Sequence, residues 1–172
     1  MALEIAAPAN ARPLTIDEVY RAQRDYVARL AHRILARDTD VDDVVQDVFV
    51  MAMSGLAKIR EPEAVKGWLR TVTVRRCQRR LRFRKFKGML GFEESESYEH
   101  VASPDASPEQ RALLARAYAV LDKLPAAERV AWVLHEMEGE KLEDVARHLG
   151  CSLATVKRRI VAAKKALEEN LS

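Results

Sequence analysis

Apolar residues recur along this chain at helical spacing, in blocks separated by short breaks rich in polar residues, Gly or Pro. Thr15-Ile16-Asp17-Glu18 has the form of a capping box and predicts a helix start. Val19, Tyr26, Leu30, Ile34 and Leu35 then give that helix a roughly continuous apolar stripe. Asp40 is placed to cap a second helix, in which Val41, Val44, Val45, Val48 and Ala52 share one face. Asp42, Asp43, Gln46 and Asp47 take the opposite face, and Gly55 with the Arg60-Glu61-Pro62 turn ends the element. A third helix is expected from about Glu63 through Trp68, Leu69, Val72 and Leu81 into a run of arginines. Its β-branched Val72, Thr73 and Val74 weaken the intrinsic propensity, so packing must hold it.

Between Gly88 and Ser107 the periodicity disappears, and Glu93, Glu94, Glu96 and Glu99 mix with Ser and Gly as in a modestly acidic linker. Order restarts at Ser107-Pro108-Glu109-Gln110, with Ser as cap and Pro in the first turn. Leu113, Leu114, Ala117, Leu121 and Leu124 form the apolar face expected there. A further helix follows Pro125, carries Val130, Val133, Leu134 and Met137, and stops at Gly139. Two more fill Leu142–Leu149 and Ser152–Leu171. The expected fold class is all-α: a loose tail over 1–14, a helical domain over 15–87, a flexible linker over 88–107, and a second helical domain over 108–172.

The last two helices read as a helix-turn-helix. Val145 and Leu149 point inward, Ala146 is small where the helices approach, and Gly150 suits a left-handed turn. Ser152 can cap the second helix, whose Val156, Ile160, Ala163 and Leu167 face the core. Ser152, Ala154, Thr155, Lys157, Arg158, Arg159 and Lys164 are then left on or near the solvent face, the N-terminal half suited to base edges and the cations to phosphates. The pattern is strong for DNA and weak for role.

The net charge of +3 is unremarkable, but its segregation is not. From Lys66 to Lys87 there is no Asp or Glu, while Arg70, Arg75, Arg76, Arg79, Arg80, Arg82, Arg84 and Lys85 accumulate, about twenty residues after the aspartate ridge. A chain that only binds nucleic acid gains nothing from an acidic ridge, so two partners are implied, one polyanionic and one a protein with a basic surface. Phe83 and Phe86 with Trp68 offer stacking surfaces for an unpaired base, although Val65, Leu69 and Val72 favour a core position for Trp68. Cys77 and Cys151 match no metal or redox spacing, the N-terminus does not read as a signal peptide, and no apolar run approaches a membrane span. These features predict a cytoplasmic chain with no membrane insertion and no cofactor.

Asp-Val-Asp-Asp-Val-Val-Gln-Asp-Val-Phe, then Trp68-Leu69 and a basic helix, an acidic linker, Leu124-Pro125 and a helix-turn-helix of the form Gly-x-Ser-x-x-Thr-Val-Lys-x-Arg resemble the group IV, or extracytoplasmic-function (ECF), sigma factors of the sigma-70 family. The resemblance spans about Ile16 to Leu171. It implies that Asp42, Asp43, Gln46 and Asp47 bind the β′ clamp helices of RNA polymerase core. Residues from about Arg60 to Lys87 would melt and read the −10 element of promoter DNA, with Arg60, Lys66, Trp68, Arg70, Arg75, Arg76, Arg79 and Arg80 as the contacts. The second domain would touch the β flap and place Ser152–Arg159 in the −35 major groove. An anti-sigma factor is the further partner implied. Glu140-Lys141 and Arg75-Arg76-Cys77 depart from the residues common in the family, which bears on promoter sequence more than on class.

Catalysis has little support, because His135-Glu136 begins an HExxH pattern whose second ligand position is Gly139. The competing reading is a DNA-binding regulator whose helical N-terminal half dimerises or senses a ligand.

Overall fold

The computed structural model describes residues 14–59, 61–92, 98 and 101–171, and the regular elements among them are helices. α1 (Ile16–Leu35) starts as its capping box requires: the Glu18 amide donates to Thr15 Oγ1 at 3.3 Å, and the Thr15 amide donates to the Glu18 carboxylate at 2.9 Å. It ends at Ala36, which takes a left-handed φ of 56°.

α2 (Asp38–Gly55) begins earlier than expected, and Asp40 is not its cap. Asp40 lies within the first turn, buried, and receives Arg80 Nε at 2.6 Å and Arg84 Nη1 at 3.1 Å. Two guanidinium partners offset the cost of burying a carboxylate, and an N-cap rule applied to sequence cannot register partners forty residues away. The valine face is as expected, with Val41, Val44, Val45, Val48 and Ala52 buried.

α3 (Ala64–Met89) buries Val65, Leu69, Val72, Val74, Cys77 and Leu81 against α1 and α2. Thr73 is kept inside by donating its hydroxyl to the Leu69 carbonyl at 2.7 Å. The helix runs past Gly88, so the first part of the expected linker continues it. Trp68 settles into packing: its indole lies over Gly55, where an added Cβ would stand 2.5 Å from a ring carbon.

In the second half, α4 (Pro108–Lys123) is capped by Ser107 with Gln110 as its reciprocal partner. Tyr118, Val120 and Leu121 are buried and Leu114, Ala117 and Leu124 pack against the core, so the expected apolar face holds except at Leu113, which is exposed. Tyr118 joins that face, its ring buried and its hydroxyl donating to the Arg33 carbonyl of α1 at 2.7 Å. α5 (Ala126–Trp132) continues as a π-helical turn over Val133–Met137 and stops before Gly139. α6 (Leu142–Leu149) and α7 (Leu153–Leu171) follow, joined through Gly150 at φ +62°. Val130, Leu134, Val145, Val156, Ile160, Ala163 and Leu167 form the core of this half.

The two halves pack on each other. α3 touches α5 and α6, and Arg129 of α5, only 1% exposed, donates to the Ile34 carbonyl at 2.8 Å and the Leu35 carbonyl at 3.0 Å. Within the expected linker Tyr98 is buried, its hydroxyl bonded to Asp122 and its ring 5.7 Å from that of Tyr118. The linker is therefore anchored at this residue.

The Gly55–Trp68 contact sets an outcome whose sign is decisive. On propensity alone Gly55→Ala would stabilise a helix by up to about 1 kcal/mol. Collision with the indole makes it destabilising by about 1–3 kcal/mol, read from the urea midpoint and accompanied by a red shift of tryptophan emission. A stabilised variant contradicts the packing described.

Candidate nucleic-acid interface

α3 has no Asp or Glu along its length, and on it Lys66, Arg75, Arg79, Arg82, Lys85 and Lys87 are exposed. The other expected contacts are distributed differently. Arg80 donates to Asp40 and Asp43 at 2.6 Å each, and Arg76 lies 3.5 Å from Asp47 while packing on Met51. Arg70 is enclosed by Tyr26, Glu138 and Glu140. Arg60 falls outside the described residues. Trp68 packs over Gly55, about 22 Å along the helix from Phe83, so it does not share a stacking surface with Phe83 and Phe86. Those two phenylalanines are exposed, with Lys87 Nζ 5.9 Å from the Phe83 ring. Exposed aromatics amid cations, with no acid on the helix, suit an unpaired, polyanionic strand.

The recognition-type helix presents a second basic face. The Thr155 amide donates to Ser152 Oγ at 3.2 Å, which caps α7 as expected. Ser152, Ala154, Lys157, Arg158 and Lys164 are exposed. Thr155 and Arg159 are half-buried, the first bonded to Ser152 and Arg158, the second 3.3 Å from Cys151 Sγ. The helix N-terminus, its free amides and three outward cations are what phosphate and major-groove contacts require.

On α2, all four residues of the acidic ridge are exposed, with Asp43 and Asp47 toward α3. Asp42 and Gln46 border an open groove of about 320 Å³ whose floor includes Ile16, Tyr20, Phe49, Val50 and Met53. Tyr20 and Phe49 meet edge to face at 4.8 Å. An apolar groove with a charged rim is the anatomy of a protein-docking site.

Sequence reasoning missed the polar seam between the halves. Glu138 and Glu140, immediately after the π turn, bind Arg70, and Glu138 also binds Arg33. His148 Nδ1 lies 2.9 Å from Thr71 Oγ1, and its Nε2 lies 3.4 Å from Glu140. Burial pushes the Glu140 carboxyl up against the pull of Arg70, and burial with nearby Arg70 and Arg147 pulls the His148 imidazole down. Burial likewise lowers Arg129, with Asp122 opposing. The position of His148, three residues after the inward Val145, was the available signal. Nothing in the local pattern marks Arg129.

Two packed helical units, the second a helix-turn-helix and the first a basic helix beside an acidic one, define a DNA-binding protein with a protein-docking face. Comparison with known proteins specifies the family. Residues 19–86 match the model for Sigma-70 region 2, and residues 109–167 match that for Sigma-70, region 4. The chain is 32% identical over 151 residues to the ECF RNA polymerase sigma factor SigM of Mycobacterium tuberculosis, covering 88% of this chain and 74% of SigM. It is 33% identical to the RNA polymerase sigma factor CnrH of Cupriavidus metallidurans, covering 82% and 78%. Against SigE of Mycolicibacterium smegmatis it is 32% identical and spans 61% of that protein's length. Among solved structures, the sigma factor RpoE of Bartonella quintana, in complex with the anti-sigma factor NepR, superposes with TM-score 0.66 at 23% identity, covering 90% of this chain and 95% of that one. CnrH in complex with the cytosolic domain of CnrY gives 0.58 at 25% identity, covering 90% and 85%. The chain belongs to the ECF sigma factors of RNA polymerase. Among the described residues no helix is long and apolar enough to cross a membrane.

The seam makes stability depend on pH. His148 titrates below its ordinary value of 6.5, so its contribution is present above 6.5 and is lost as pH falls through the lowered value. Glu140 acts oppositely: its contribution is fully present below 4.5 and is lost as pH rises through its raised value. The melting midpoint is expected to fall from about pH 7.5 to about pH 5.5, and His148→Gln is expected to flatten that slope. An unaltered slope in His148→Gln removes His148 as its source.

Proposed function

We propose the following division of labour for this sigma factor. The first half, about residues 15–87, binds core polymerase through α2 and opened −10 promoter DNA through α3. The second half, about 108–172, reads the −35 element through α7 and touches the β flap. The observation that carries the reading is the arrangement of α2 and α3: an acidic ridge with an apolar groove on one helix, and an acid-free basic face on the next. Asp42, Gln46 and the groove are the centre of the proposed contact with the β′ clamp helices. Asp43 and Asp47, each exposed yet paired to an α3 arginine, serve both as rim charges and as struts that hold Arg80 and Arg76 against α2.

Lys66, Arg75 and Arg79 hold the backbone of the non-template strand, and Phe83 and Phe86 offer stacking faces further along α3. Lys157, Arg158 and Lys164 hold phosphates around the −35 major groove, with Ser152, Ala154 and Thr155 near base edges. The solved complexes of RpoE with NepR and of CnrH with CnrY support an anti-sigma factor as a further partner. A stand-alone repressor or activator is not favoured, because such a protein leaves the acidic ridge without a use.

Run-off transcription with purified core over a pool of genomic promoters tests the whole: transcripts are expected only when chain and core are both present. Asp42→Lys with Asp47→Lys is expected to weaken core capture at least tenfold while helicity is retained, as close like-charge contacts cost ~1–3 kcal/mol. Retention of core by the folded variant removes the ridge from the interface. Lys157→Ala and Arg158→Ala are each expected to reduce the salt slope of −35 duplex binding by about 1. Unchanged slopes reject this orientation of α7.

A further inference from the structure

We propose that the C-terminal end of α3 is a peripheral docking surface for anionic lipid, made by an apolar arc from Phe83 to Phe92 with Arg79, Arg82 and Lys87 beside it. The inference does not depend on the promoter assignments. It concerns a helix end that lies on a bilayer surface, not one that crosses it.

α3 is apolar on two faces as it nears its end. Its inner face, with Val74, Cys77 and Leu81, is buried. The second face looks into solvent: Phe83, Phe86, Met89 and Leu90 are 54%, 58%, 85% and 58% exposed. At about 100° per residue these four cover roughly 120° of the helix circumference, away from the inner face. The helix stop adds a fifth residue. Gly91 takes a φ of +84°, its amide donates to the Gly88 carbonyl at 3.0 Å, and the Phe92 amide donates to the Lys87 carbonyl at 3.1 Å. This is the bonding of a Schellman cap, and it holds Phe92, 67% exposed, beside the last turn. The apolar surface is therefore preformed.

Charge selects the occupant. Arg79, Arg82 and Lys87 are exposed around the arc, and Lys87 Nζ lies 5.9 Å from the Phe83 ring. Arg80 and Arg84, by contrast, turn inward to Asp40, and α3 has no acid of its own. A solvent-facing apolar arc with cations beside it suits an anionic bilayer interface, the apolar residues at the acyl boundary and the cations among the headgroups. Unpaired DNA uses only part of this surface, because Met89 and Leu90 have no aromatic face on which a base can stack. Phe83 and Phe86 belong to both surfaces, so lipid and strand compete for them. Glu93, Glu94 and Glu96 follow in the sequence, outside the described residues, and their repulsion makes the full chain the proper test.

Flotation of the full chain with vesicles measures the contact directly. Binding to vesicles of phosphatidylglycerol and phosphatidylcholine in equal parts is expected to be stronger than to phosphatidylcholine alone by about tenfold or more. Met89→Ser with Leu90→Ser is expected to cut binding to the anionic vesicles about tenfold, with helicity retained because both side chains are at the surface. The same variant is expected to keep its affinity for a labelled single-stranded oligonucleotide of mixed sequence within about twofold. No flotation of the wild-type chain, or equal binding to the two kinds of vesicle, overturns the proposal without recourse to any variant. Unchanged flotation of the folded variant overturns it as well. An equal loss of oligonucleotide and vesicle binding gives the surface to the strand and rejects the lipid assignment. Sedimentation covers the remaining occupant: a wild-type dimer that the variant dissociates makes this face an interface between copies, which also overturns the proposal.

Discussion

The carbonyl end of α1 is the point at which both halves of the molecule meet. A helix leaves its last carbonyls without partners, and here they lie beneath other elements where water is scarce. Tyr118 donates to Arg33, Arg129 to Ile34 and Leu35, and Arg84 to Leu35, so one helix end is satisfied from α4, α5 and α3 together. The guanidinium groups also suit the negative end of the helix dipole. Asp122 joins the set by accepting from both Arg84 and Arg129, and Asp40 accepts from Arg84. Buried arginines are tolerable there because nearly every donor has a carbonyl or carboxylate to meet.

The same logic explains why α2 and α3 work as a pair. Asp40, Asp43 and Asp47 face Arg80, Arg84 and Arg76 along the line where the helices adjoin. These bonds neutralise part of the basic helix on its inner side and leave Arg75, Arg79 and Arg82 outward. The acidic and basic segments are therefore mechanically joined. A partner that draws on Asp43 or Asp47 would alter the orientation of an arginine on the other helix.

The packed arrangement of the halves has a mixed character. Its centre, around Arg129, Tyr118 and Tyr98, is buried and well bonded. Its edge, around Arg70, Glu138, Glu140 and His148, places charges in partial burial, with Glu140 Oε2 making no hydrogen bond and facing His148 Nε2 at 3.4 Å. Such an edge contributes little net stability, because desolvation consumes most of the Coulombic gain.

Most of the helices were legible in the sequence, because capping boxes, valine and leucine periodicity and the Gly150 turn are local signals that tertiary packing had no reason to override. α6 falls on its expected bounds, and Thr15, Ser107 and Ser152 all cap as their sequence context implies. The segregation of charge between α2 and α3 was equally legible, and with it the class of partner each face suits. What the sequence could not show was which of those charges face inward: Asp40 as an ion-pair centre, Trp68 over Gly55, Arg129 at the end of α1, and Glu138 and Glu140 on Arg70. These depend on residues tens of positions apart, and periodicity carries no information about them. By itself the sequence determined the helices, the helix-turn-helix and the two charged faces, since each is set within a few turns of chain. The tertiary structure alone decided which arginines are free for a polyanion and which are already spent on the protein's own carboxylates, because only packing brings distant charges within bonding distance.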